Sequence, residues 1–166
     1  MSSSSKSRAG APIDLAAQAR VLRQFRVVFN AVKTHFRNVE REAGIGGAQV
    51  WALSVIAQQP GIGVSELARV LDIHQSTASN LVKTLLERSL VETSRDGPDR
   101  RAVALRIGRA GRAVLDKAPT PFAGVLPNAL GRLDGATLAR LETDLAALIA
   151  QLAVDDDAAR IPLADL

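Results

Sequence analysis

Between residues 74 and 88 the sequence reads HQSTASNLVKTLLER. Placed on a helix at about 100° per residue, Ala78, Leu81, Val82 and Leu85 share one face. Opposite them lie Ser76, Asn80, Lys83 and Glu87, flanked by Thr77, Ser79 and Thr84. A face that only meets water usually carries Glu, Lys, Arg and Gln, whereas Ser, Thr and Asn are mediocre helix formers. Short hydroxyls, one amide and one ammonium suit a different task. A helix enters the major groove of a duplex only if its side chains let the backbone come close, and bases are read there by hydrogen bonds to their edges. Ser and Thr bond bases or phosphates, Asn80 suits adenine, and Lys83 suits guanine or a phosphate. For this segment taken alone, an ordinary solvated face begun by capping hydroxyls is an equal alternative.

The same segment holds residue types of nucleophilic catalysis, with Ser76 and Ser79 near His74. No acid or oxyanion device accompanies them, and serines at a helix start usually cap it, so no enzymatic activity is expected. The chain has no cysteine, two well-separated histidines and a single methionine, Met1. Disulfides and thiolate metal sites are thereby excluded, and neither a zinc site nor any other cofactor is expected. The opening MSSSSKSRAG lacks the apolar region of a secretion signal. No apolar run approaches the roughly 18 residues of a membrane span. These features fit a cytoplasmic protein with no membrane partner. The net charge of +4 over 166 residues permits a polyanionic partner without requiring one.

Ala, Leu and Val dominate and aromatics are few, a composition that points to a mainly α protein. Residues 1–13 read as a flexible basic tail. From an N-cap at Asp14 a helical pattern runs to about Ala43, with Leu15, Leu22, Phe25, Phe29, Val32, Phe36 and Val39 along it. From Leu22 onward the apolar steps alternate three and four, as along a helix that packs lengthwise on another. Gly44-Ile-Gly-Gly47 ends it. A shorter helix at 48–59 stops at Pro60-Gly61, and a further one spans 64–71. The three residues 72–74 separate that helix from the 75–88 segment, which is the spacing of a helix-turn-helix.

Residues 90–95 and 101–107 then read as two strands around the turn residues Asp96-Gly-Pro-Asp-Arg100, with Val103, Leu105 and Ile107 on the buried face of the second. A helix-turn-helix followed by a hairpin is a winged helix. An arginine on such a tip can enter a narrow minor groove. Arg100 and Arg101 are the candidates, with Asp99 placed to hold the Arg101 guanidinium extended. From Arg109 a helix begins, which Pro119, Pro121 and Pro127 break or kink. Asp134 caps a last amphipathic helix with Leu138, Leu141, Leu145, Leu148 and Leu152 on one stripe, and VDDDAARIPLADL follows as a frayed acidic tail.

The run VSELARVLDIHQSTASNLVKTLLERSLVETSRDGPDRRAVALRIGRAGRAVL resembles regulators of the MarR (multiple antibiotic resistance regulator) family. The likeness is most specific at SELA (65–68), STAS (76–79) and the D-R-R of the wing (99–101). It covers residues 20–118 well and 134–153 by pattern. It implies a homodimer whose first and last helices interlock, with two winged helices facing successive major grooves of a pseudo-palindromic operator in double-stranded DNA. It also implies a repressor released when a small molecule binds between the dimerisation and DNA-binding parts. Several positions depart from the family pattern. Asp72 and Ser89 stand where glycines are usual, His74 at a cap position, Asn80 for a frequent arginine, and Gly108 for a threonine cap.

The expectation is thus a winged helix-turn-helix at 44–108, a helical dimerisation region at 14–43 and 109–153, and an acidic tail at 154–166. DNA contacts are assigned to Ser76, Thr77, Ser79, Asn80, Lys83, Thr84, Asp99, Arg100 and Arg101. An aromatic or phenolic acid effector is assigned to Phe25, Phe29, His35, Phe36 and Trp51. The alternative is a winged helix without an effector, acting in constitutive DNA architecture or in protein contact.

Overall fold

The computed structural model describes residues 14–94, 103–152, 154 and 159–165. Along these residues the order is α1 (Leu15–Ala43), α2 (Gly47–Gln58), α3 (Val64–Leu71), α4 (Gln75–Glu87), β1 (Val91–Ser94), β2 (Ala104–Ile107), α5 (Arg109–Lys117), α6 (Val125–Leu130) and α7 (Gly135–Leu152). A 3-10 turn at Leu163–Asp165 follows. The fold is mainly α with a small antiparallel hairpin.

Helix α2, GAQVWALSVIAQ, has no continuous polar face, and a helix that is apolar all round must be buried. It forms the centre of the molecule, touching α1, α3, α4, α5 and β2. Leu53 and Ile56 of α2, Leu67 and Leu71 of α3, Leu85 of α4 and Leu105 of β2 are the largest fully buried side chains. A single core runs from Val39 to Ala118. Gly111 lets α5 settle on the base of the hairpin. A methyl there would overlap the Leu90 carbonyl oxygen and crowd Ile107 Cγ1 at 2.9 Å and Leu53 Cδ1 at 3.1 Å.

The helix ends follow from local hydrogen bonding. The Asp14 carboxylate accepts from the N–H groups of Ala16 and Ala17, both at 3.0 Å, as an N-cap does. Three helices stop at a left-handed residue: α1 at Gly44 (φ 72°), α3 at Asp72 (φ 51°) and α4 at Ser89 (φ 54°). After α3, Ile73 N–H donates to the Ala68 carbonyl at 3.0 Å and Asp72 N–H to Arg69 at 3.3 Å. After α4, Leu90 N–H donates to Leu85 at 2.9 Å and Ser89 N–H to Leu86 at 2.9 Å. Both are Schellman ends, closed by buried apolar pairs. A side chain in this conformation costs about 1–2 kcal/mol that glycine does not incur. Ser89→Gly is therefore expected to stabilise the protein by about 1 kcal/mol, read as a higher urea midpoint at unchanged slope.

The hairpin pairs Val91 with Ile107, Glu92 with Arg106, Thr93 with Leu105 and Ser94 with Ala104. A single-residue bridge from Ile62 to Leu105 adds a third extended segment, with Leu105 N–H donating to Ile62 O at 3.0 Å and Gly61 N–H to Leu105 O at 2.8 Å. Leu105 is buried under that bridge, whereas Val103, expected on the same buried face, is 40 % exposed two residues further out.

Beyond α5 the prolines act unequally. Pro119 and Pro121 fall in the connection, but Pro127 sits inside α6 without breaking it, because the first-turn N–H groups of a helix have no partner in the helix to lose. Asp134 caps α7: its carboxylate accepts the Thr137 N–H at 2.9 Å and the Thr137 hydroxyl at 2.8 Å. Those bonds hold the Asp134 carboxyl below the usual carboxylate range, so their support is present above that range and is lost as the pH falls through the folded value.

Helix α7 contributes no buried residue. The outer half of α1 is similarly bare, with Leu15 72 % and Phe29 59 % exposed. The sequence reading of a frayed tail needs correction at residues 162–165. Pro162 is buried, and the 3-10 turn lies against α1 and α2. The acidic run DDD is followed by the apolar Ile161-Pro-Leu-Ala164, of which Pro162 is buried and Ala164 half-buried while Ile161 and Leu163 remain 49 % and 36 % exposed.

Candidate nucleic-acid interface

The α3–α4 corner sets the orientation of α4. Asp72 reverses the chain, Ile73 is buried beneath the turn, and α4 starts at Gln75. Ala78, Val82 and Leu85 anchor α4 in the core. On the other side Ser76, Ser79, Asn80 and Lys83 are exposed, and Thr77 and Thr84 are half-buried at its margins. All six assigned positions thus border one accessible strip on one helix.

The hydrogen bonds alter the chemistry of that strip. Ser79 Oγ donates to the Gln75 carbonyl at 2.8 Å, and Thr84 Oγ1 donates to the Asn80 carbonyl at 3.0 Å. Their protons are committed to the helix backbone, so these two hydroxyls offer acceptors outward. The donors on the strip are Asn80, Lys83, Ser76 and Thr77. Lys83 Nζ stands 3.9 Å from Glu87 Oε1, an exposed pair of little energetic weight that leaves the ammonium available to a phosphate. On α3, Arg69 Nε donates to Glu66 Oε2 at 2.9 Å. This bond holds the Glu66 carboxyl below its ordinary value and raises the Arg69 guanidinium.

The wing's strands are in place, with the charges of Glu92 and Arg106 directly opposite. Asp99, Arg100 and Arg101 lie outside the described residues.

The assigned effector residues separate into groups. Phe29 and Phe36 border a cavity of about 270 Å³ with Val28, Val32, Lys33, Arg37 and Leu126. Phe36 and Trp51 border a second of about 60 Å³ with Phe122 and Pro127. Phe25 lines neither and stacks on Phe29, with ring centroids 6.2 Å apart. His35 also lines neither; it is buried at 8 % exposure and packs edge-to-face with Phe36, ring centroids 5.2 Å apart. Its Nε2 has no hydrogen-bond partner among the described residues.

Two features lie beyond the sequence expectations. Lys33 and Arg37, one turn apart on α1, line the larger cavity as cations, with the Glu40 carboxylate also on its lining; their spacing beside Phe36 is the sequence signal that points to them. Arg88, at the end of α4, donates from Nη1 to the Gly44 carbonyl at 3.2 Å, tying α4 to the end of α1. No local pattern reveals a bond across 44 residues.

Among the described residues no helix is long and apolar enough to cross a membrane. No curated protein matches the sequence. Residues 43–102 match the MarR family. Among solved structures the chain is similar to MepR of S. aureus in a DNA complex, with TM-score 0.54 and 18% identity over 81% of this chain and 97% of that one. It is also similar to FabT of Streptococcus pneumoniae in complex with DNA, with TM-score 0.52 and 19% identity over 81% and 96%. A third is the multiple antibiotic-resistance repressor (MarR) of Listeria monocytogenes, with TM-score 0.50 and 20% identity over 85% and 99%. The structural similarity shows the fold, and the family match covers the stretch from α2 to the wing in which the α4 strip is built. Residues 43–102 match the MarR family, and the chain that carries them has a fold similar to the solved structures of MarR and MepR.

Proposed function

We propose that this chain is a sequence-specific DNA-binding transcriptional regulator that works as a homodimer. The observation that carries the reading is the α4 strip: compact polar side chains from Ser76 to Lys83, exposed along one line of a helix whose opposite face is locked into the core. Similar folds in MepR and FabT are bound to DNA. In a dimer, two α4 helices reading half-sites about 10 base pairs apart would need a pseudo-palindrome. Asn80 reads base edges, Lys83 and the wing arginines meet phosphates or the minor groove, and Asp99 positions Arg101. The exposed apolar faces of α1 and α7 suit the dimer contact. Repression is relieved when an amphipathic aromatic acid enters the α1–α2 cleft, its ring against Phe29 and Phe36 and its anion toward Lys33 or Arg37.

The test is selection of a preferred duplex from a random pool, followed by titration at several salt concentrations. Lys83→Ala is expected to weaken binding several-fold and to a similar degree on all sequences. It should also flatten the log–log salt dependence by about one unit of slope for each phosphate that Lys83 neutralises. A wild-type protein with no preference over random competitor would overturn the reading.

A further inference from the structure

The 270 Å³ and 60 Å³ cavities share lining from distant parts of the sequence: Phe36, Gly47, Leu163 and Ala164 border both. Phe36 is fixed by its setting. Its ring packs directly on Gly47, where a Cβ would overlap it, and lies 3.0 Å from the place a Cβ would take at Gly124. The other shared lining, Leu163 and Ala164, comes from the segment that ends in the 3-10 turn. There Pro162 is buried and lines the smaller cavity, and Ala164 Cβ lies 3.0 Å from the position a Cβ would take at Gly47. An α2 that began with a larger residue than Gly47 would have no room for either neighbour.

We propose that Ile161-Pro-Leu-Ala164 is a built-in strap that closes the α1–α2 cleft and competes with its ligand. With the strap seated, the cleft is two compartments. With the strap gone, Leu163 no longer divides them, and one trough runs from Phe29 past Phe36 to Trp51 and Phe122. Its walls are mostly apolar, and its charged lining is Lys33, Arg37 and Glu40, two cations against one carboxylate. The ligand class that fits is an organic anion with an aromatic body larger than the 270 Å³ compartment. The strap follows α7 after a short run of sequence, so it faces the cleft at an effective concentration of the order of millimolar. A ligand must displace it, and its apparent affinity is reduced by the fraction of molecules with the cleft open. This deepens the effector part of the proposed function and rests on that cleft being the ligand site.

The probe is 1-anilinonaphthalene-8-sulfonate, an aromatic anion whose fluorescence rises on apolar surfaces. It is titrated into the full chain, into full-chain Leu163→Asp, and into a chain lacking 159–166. If the strap is seated about nine-tenths of the time, both altered proteins bind the probe about tenfold more tightly than the full chain. A synthetic peptide of residues 159–166 then displaces the probe from the shortened chain. Equal probe affinity in all three proteins, with their circular dichroism unchanged, overturns the strap. Should the shortened chain fail to fold, Leu163→Asp decides alone. Binding of the selected duplex is measured on the same samples. Its absence from the full chain defeats the regulator reading, while the probe comparison still decides the strap.

Discussion

Asn80→Asp is expected to lower affinity for the selected duplex by about 100-fold or more, with little change in fold. A bidentate contact from an amide to a base edge contributes about 1–3 kcal/mol of discrimination. In a dimer that contribution disappears from both half-sites. The replacement has nearly the same shape, so no cavity or clash enters the comparison. It exchanges two N–H donors for acceptors and sets a carboxylate on the strip that faces a polyanion. The site is exposed in mid-helix, where the intrinsic penalty for aspartate stays below about 0.7 kcal/mol. The pair Asn80→Asp and Asn80→Ala separates two effects: alanine should mainly relax the preference at one base pair, and aspartate should defeat all duplexes. The measurement is fluorescence anisotropy on the selected duplex and on a variant with that base pair exchanged, with circular dichroism as the fold control. Wild-type affinity for Asn80→Asp would place α4 outside the groove.

The winged helix was legible because its signals are local and stacked. The helix-turn-helix spacing, the capping Asp14 and Asp134, the alternation of the second wing strand and the period of α4 each depend on neighbours within a turn or two. Asp72 and Ser89 show the same logic in reverse. They stand at left-handed helix ends where glycine would be easier, and they hold those ends because the Schellman bonds and the buried Ile73 and Leu90 over-determine them. What escaped is long-range. Ile62 forms a one-residue bridge, too short for any period to mark. Arg88 reaches Gly44 only once the tertiary fold exists. The 161–164 segment reads as the end of an acidic tail, since its few apolar residues gain meaning only from the cleft they meet. The outward chemistry of Ser79 and Thr84 was also hidden. A hydroxyl four residues after a carbonyl on a helix has a ready acceptor in its own backbone, and both residues use it.

The larger expected effect lies away from the recognition helix, on α7. Leu145→Lys combined with Leu148→Lys is expected to convert the protein to monomers and to reduce duplex affinity by about 10²–10⁴-fold, with both α4 strips untouched. Within one chain Leu145 is half-buried and Leu148 39 % exposed, and neither belongs to the core that runs from Val39 to Ala118. The two lysines therefore remove nothing from the winged helix. Their cost falls on a partner surface, where two ammonium groups per protomer would lose water against apolar side chains without an opposing charge. The DNA effect follows from linkage. Once one half-site is held, the second α4 binds at the high effective concentration set by the dimer, and that gain of about 10²–10⁴ vanishes when protomers part. Sedimentation equilibrium reads the first effect, and titration on duplexes with one or two half-sites reads the second. The doubly substituted protein should bind both duplexes alike, at the affinity of wild type for a single half-site. A double variant that sediments as a dimer would remove α7 from the interface. A monomer that kept wild-type affinity for the two-half-site duplex would show that each α4 strip reads its site alone, and that the pseudo-palindrome is not what this chain recognises.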